Sequence, residues 1–263
     1  MRVHSGARIL KKGNIALKYR VFLGLSIILL TAALLAGCRV DTGSMLAAGG
    51  DLFTAATLSA EDVRELGKAT AEAMDAKYPV APAGNAYARR LNKIATGLHN
   101  EAGLDLNYKV YLVKDVNAFV TPDGSIRVFA GLMDMMTDDE IYFVIGHEIG
   151  HVVNGDSADK LRLAYAASGA RKAAGATGGV LGALSRSDLG DLGEALIKSQ
   201  FSQRQEFAAD AYGLKLMERN GKNPQAAVTA LRKLATPGRA PSMFSTHPEP
   251  GRRADAIAAQ ISK

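Results

Sequence analysis

The chain has 263 residues, 48% of them apolar, a single cysteine and a formal net charge of +6. That length can bury one substantial core, and one cysteine excludes an internal disulfide and any multi-cysteine metal site. The positive charge does not argue for nucleic acid. Of 32 basic residues against 26 acidic ones, six lie within the first 37 positions (Arg2, Arg8, Lys11, Lys12, Lys18 and Arg20), and these account for the whole excess.

Residues 1–37 read as an address. A basic region without acids precedes an apolar run over 21–35, and Leu35-Ala36-Gly37-Cys38 follows. That order matches a signal peptide, and the apolar run falls short of the ~20 residues a membrane span wants. The four-residue end resembles the bacterial lipobox. The resemblance implies cleavage before Cys38, lipid on its thiol and a membrane anchor in place of a span. Arg39 stands where many inner-membrane lipoproteins carry Asp, which points to the periplasmic side of the outer membrane. Residues 38–57, rich in Gly, Ala and Thr, are expected to be a tether, and 58–263 the folded domain.

Ser59 with Asp62 predicts a helix start, and the helix runs to Lys77 before Pro79. A second helix is expected over 85–99, with Tyr87, Leu91, Ile94, Ala95 and Leu98 facing the core. Alternation over 106–113 reads as a strand, with Tyr108, Val110 and Leu112 on the apolar face and Lys109 and Tyr111 on the other. Residues 118–121 and 125–129 flank Pro122-Asp123-Gly124 as a hairpin. Thr137 caps the next helix, and Asp138, Asp139 and Glu140 suit its positive end. The Ala- and Gly-rich stretch 164–184 reads as a packing helix with a loop, or as a flexible cover. A long helix is expected over 192–220, closed by Gly221. Another follows from Pro224 to about 235, then a Pro-rich loop containing His247 and a last helix over 252–262.

The helix after Thr137 carries His147-Glu148-Ile149-Gly150-His151. Residues i and i+4 of a helix are neighbours, so both imidazoles can reach one metal ion, with Glu148 beside it to take a proton from water. The surrounding Ile141, Phe143, Val144, Ile145, Ile149, Val152 and Val153 make the helix apolar nearly all round, hence buried. Ionisable groups in such a place need a partner or a metal. Gly146 and Gly150 each cost about 1 kcal/mol of helix propensity relative to Ala and suit close backbone approach. Downstream, Glu206 and Asp210 share one face of the 192–220 helix.

The succession HEIGH, QEFAAD, STHPEPGRR resembles the Ste-type and HtpX-type zinc endopeptidases, which are gluzincins. The stretches 107–119 and 126–140 resemble the LoiP-type periplasmic lipoprotein members. The resemblance implies an α+β fold, a mainly helical zincin-like metalloprotease domain with a small antiparallel-containing sheet beside the HExxH helix. It implies one Zn2+ per chain, held by His147, His151 and Glu206, with Glu148 as general base. Asp210 would orient a ligand histidine, and Arg253 would be a basic group beside the site. His247 would lie near the metal, as oxyanion donor or resting-state ligand. Asn154-Gly155-Asp156 stands where relatives often carry a further histidine. Substrate is expected along the 117–119 edge (Asn117, Ala118, Phe119), as an added strand. Unfolded or misfolded envelope proteins are the implied substrates, and the lipid on Cys38 the implied membrane contact. Two other readings remain: a lipoprotein chaperone or scaffold using the same cleft, and a closed structural zinc site with His247 as fourth ligand.

Overall fold

The computed structural model describes residues 58–168, 181, 184–238 and 240–262. The signal peptide, Cys38, the tether and most of the Gly-rich segment lie outside the described residues. Among those described, no helix is long and apolar enough to cross a membrane.

The architecture is α+β and mainly helical. Helix α1 (Ala60–Lys77) starts on a reciprocal Ser59–Asp62 capping box, and α2 (Ala86–Ile94) on the Asn85 side chain. Three short strands follow, β1 (Asn107–Tyr111), β2 (Ala118–Val120) and β3 (Ser125–Phe129). Their order is β1-β3-β2. The β2–β3 hairpin is antiparallel, with Phe119 opposite Arg127. β1 runs parallel to β3, with Val110 opposite Val128. The sheet is therefore mixed, and β2 pairs on one side only among the described residues.

Both faces of this sheet are covered. Val110, Ala118, Val120, Ile126 and Val128 join the main core with Ile141, Val144, Ile145 and Ile149. Tyr111, Phe119 and Phe129 pack on Met74 of α1. Strict alternation put Tyr111 with Lys109 on a polar face. Tyr111 is instead fully buried, stacked on Tyr78 at 5.0 Å, because α1 closes that side.

After α3 (Ala130–Met135), α4 (Asp138–Val153) opens on a Thr137–Glu140 capping box and is buried from Glu140 to His151. Helix α5 is Asp156–Ala167. The long helix expected over 192–220 is two helices, α6 (Arg186–Lys198) and α7 (Gln203–Arg219). Ser202 caps α7 with Gln205, and the Phe201 amide leaves the helical ladder to donate to Thr246 O at 3.1 Å. Helix α2 likewise stops at Ile94 and not at 99, where Gly97 takes φ +85°. α8 (Gln225–Leu234) comes next, then a short α9 (Pro241–Thr246) within the expected loop, then α10 (Pro250–Ile261).

The α4–α7 crossing sets the site. A Cβ on Gly146 would sit 3.0 Å from Gly213 Cα, and one on Gly150 would sit 2.9 Å from Ala209 Cα. Any side chain there would push the helices apart, so the glycines let the face bearing Glu206 and Asp210 meet the histidines.

Candidate metal centre and its cleft

α4 presents His147 and His151 one turn apart, and α7 brings Glu206 against both. The Glu206 carboxylate lies 3.4 Å from His151 Nε2 and 3.7 Å from His147 Nε2. His247, at the end of α9, completes the group with its Nδ1 3.0 Å from Glu206 Oε1 and 3.2 Å from His147 Nε2. Ligand atoms from these four buried residues all lie within 4.8 Å of one another.

The tautomers follow from the outer hydrogen bonds. His147 Nδ1–H donates to Asp210 at 2.9 Å, and His151 Nδ1–H donates to Asp156 at 2.9 Å. In the neutral rings both Nε2 atoms then carry lone pairs, and these face each other at 3.0 Å. Two lone pairs and a carboxylate at such range repel unless a proton or a metal ion lies among them. The donor set, two neutral imidazoles and one carboxylate, suits a divalent metal.

Arg253 of α10 braces the group from behind. Its Nε and Nη2 donate to the two Asp210 oxygens at 2.7 and 2.6 Å, and its Nη1 meets Glu206. Burial opposes ionisation of Glu206, yet His247, His147 and His151 hold its carboxyl far below the usual range. Asp210 is likewise lowered: burial opposes this, and Arg253 and His147 outweigh it. Burial pushes His147 down. It also opposes protonation of His151, where hydrogen bonds to Asp156 and Glu206 prevail and raise the ring. His247 is pushed to about 4 by burial, hence neutral. Burial raises Glu148, against the pull of His147 and His151. Its Oε1 has no hydrogen-bond partner and lies 3.7 Å from His247 Nε2.

Glu148 and His247 open onto a narrow cleft whose other walls include Ala118, Phe119 and Val120 of β2. Asn117 is not in that wall. It is buried, its side chain accepting from the Ala118 amide and its carbonyl from Phe129 N.

Sequence reasoning missed three residues here. Asp156 fixes the second histidine from the first turn of α5, reached through Gly155 at φ +81°. Phe201 stacks on His151 with centroids 3.7 Å apart and planes 6° apart. Lys160 places its Nζ 3.4 Å from the centre of the Phe201 ring. Asp156 and Lys160 stand four apart on one helical turn, the one local signal available. Phe201 lies in the unforeseen break between α6 and α7.

Residues 85–261 match Peptidase family M48, and the chain belongs to that family: it is a metalloendopeptidase. It is 45% identical over 235 residues to Metalloprotease LoiP of Escherichia coli, covering 88% of this chain and 93% of the relative. Metalloprotease YcaL of the same organism is 41% identical over 239 residues, with 88% and 94% covered. A protease HtpX homolog of Trichormus variabilis is 28% identical over 187 residues, with 62% and 63% covered.

Proposed function

We propose that the chain is an exported, lipid-anchored zinc endopeptidase that cleaves unfolded or misassembled cell-envelope proteins on the periplasmic side of the outer membrane. The observation that carries the chemistry is the pair of Nε2 lone pairs converging with Glu206, next to an unpartnered Glu148 oxygen. His147, His151 and Glu206 are the ligands in this reading. Zinc held there supplies Lewis acidity and brings the pKa of a water from 15.7 to about 7.

The chain's own residues do the rest. Glu148, raised by burial, accepts the proton of the attacking water and returns it to the leaving amine. Asp210 and Asp156 keep both imidazoles in the ligating tautomer. The unpaired edge of β2 takes the substrate as an added strand, with Ala118 and Phe119 along it. Extended, unfolded segments can enter such a groove, which supports the unfolded-protein substrate class. The basic-apolar-lipobox start supports the export and the anchor on Cys38.

A closed site with His247 as fourth ligand is the second reading, favoured by the 3.0 Å contact of His247 with Glu206. In the first reading His247 Nδ1–H turns to the developing oxyanion. His247→Ala separates them: the open site predicts lower kcat with metal retained, whereas a rise in activity would mark a latch. The test of the whole reading is mass spectrometry of an unfolded outer-membrane protein digested with the mature domain, before and after chelation and zinc readdition. Zinc-dependent internal cuts are expected, and none would sink it.

A further inference from the structure

One cation in the cleft is left over once the ligands, Glu148 and the Asp210–Arg253 pair have their roles. Lys160 extends from α5 into the wall beside Glu148. Among the described residues it has no hydrogen bond or ion pair, only its seat on the Phe201 ring. The opposite ring face carries His151, because two groups at 3.4 and 3.7 Å cannot share one face. The ammonium is therefore fixed about 7 Å from the ligand imidazole, roughly two residues along an extended strand at ~3.3 Å each. Val120, Leu196, Ile197 and Phe201 form the apolar part of the wall, and Glu148, Thr246 and His247 its polar part. The carboxylates of Glu148, Glu206 and Asp156 act on the ammonium only across space, without a direct hydrogen bond, and a substrate in the cleft is positioned to supply one.

We propose that Lys160 determines the specificity of this cleft by binding a substrate carboxylate, carried by an Asp or Glu side chain near the scissile bond or by the substrate's own C-terminus. The inference rests on the peptidase reading above. The apolar walls receive the methylenes of such a residue and the ammonium receives its charged tip. Ammonium paired with carboxylate, both partners charged, outweighs the bond from the same ammonium to an uncharged amide.

The test compares wild type, Lys160→Met and Lys160→Glu on paired peptides that differ only by Glu or Gln at each position around the cut, each with a free or an amidated C-terminus. The expected wild-type preference for one Glu position, or for the free terminus, is roughly 10-fold or more in kcat/KM. It should vanish in Lys160→Met and turn toward Lys or Arg in Lys160→Glu, with metal content unchanged. Preference for the side chain or for the terminus tells which carboxylate is bound. An unaltered profile, or a uniform loss of rate in Lys160→Met, would overturn the proposal. Calorimetric binding of the same peptides to Glu148→Gln protein needs no turnover. Charge-dependent binding without wild-type cleavage would sink the peptidase reading alone, and cleavage without acidic preference would sink this inference alone.

Discussion

Two buried arginines, Arg127 in the sheet and Arg253 at the metal centre, are each gripped by a carboxylate through paired hydrogen bonds. Arg127 donates to Asp75 at 2.7 and 3.0 Å, and Lys109 and Tyr111 donate to the same carboxylate at 2.7 and 2.9 Å. That network has more donors than acceptors, and every oxygen of Asp75 is taken. The network around Arg253 is built the other way. Four carboxylates (Glu148, Asp156, Glu206 and Asp210) face two cations, Arg253 and Lys160, and the histidines offer lone pairs. Two negative charges are left over, the charge a divalent cation carries. One network balances by itself and staples strand to helix, whereas the other carries the charge that suits a divalent cation.

The largest expected effect breaks the comparison on its functional side. Glu148→Gln keeps the shape of the side chain but cannot accept the proton, so kcat against an unfolded substrate should fall about 10³-fold or more, at the upper end of general-base contributions. Metal content should stay at one per chain. Retained turnover would remove Glu148 from the proposed chemistry.

Asp75→Asn breaks the other side. It leaves Arg127, 2% exposed, without its anion, and should cost about 3–5 kcal/mol of stability in denaturant titrations. Activity of the folded fraction should not change. Burial opposes ionisation of Asp75, but Arg127, Lys109 and Tyr111 outweigh it and hold the carboxyl below its ordinary value. A lowered folded pKa contributes stability that is fully present above the unfolded value of about 3.9. That stability is lost as pH falls through the lower folded value. The acid limb of stability should therefore flatten in Asp75→Asn; an unchanged limb would assign it to other groups.

The same contrast marks how far the sequence could be read. Caps at Ser59 and Thr137 and the i, i+4 histidines are local, and each was legible from residues a turn apart. The glycines Gly146 and Gly150 announced a close crossing, though not that Gly213 and Ala209 would be its other half. What escaped reading depends on partners distant in the chain. Ser199–Ser202 carry no Pro or Gly to stop a helix. The break arises because Ser202 caps α7 and Phe201 N finds Thr246 O, 45 residues on. Tyr111 was placed on a polar face for the same reason, since only α1 packing there turns it into core.

Asp210→Asn tests the site network at intermediate strength. It weakens the acceptor for His147 Nδ1–H and half of the grip on Arg253, while Glu206 still faces the guanidinium. Metal affinity, read by competition with a chelator, should fall roughly 10- to 100-fold. Stability without metal should fall less than in Asp75→Asn, because Arg253 keeps an anionic neighbour. An equal loss would mean that the Asp210 pair is as much a staple as the Asp75 pair.

Asp156→Asn is the mildest change and the sharpest test of this charge balance. The amide oxygen can still accept from His151 Nδ1–H, and Phe201 stacking keeps the ring in plane, so geometry survives while one negative charge goes. If the surplus of charge attracts the metal, affinity should drop about 10-fold, near the lower limit for such outer partners, with kcat at saturating metal unchanged. Loss of an acid from the first turn of α5 should cost only about 0.5 kcal/mol. Undiminished affinity would show that imidazole geometry, and not the excess of carboxylates over cations, draws the ion into this centre.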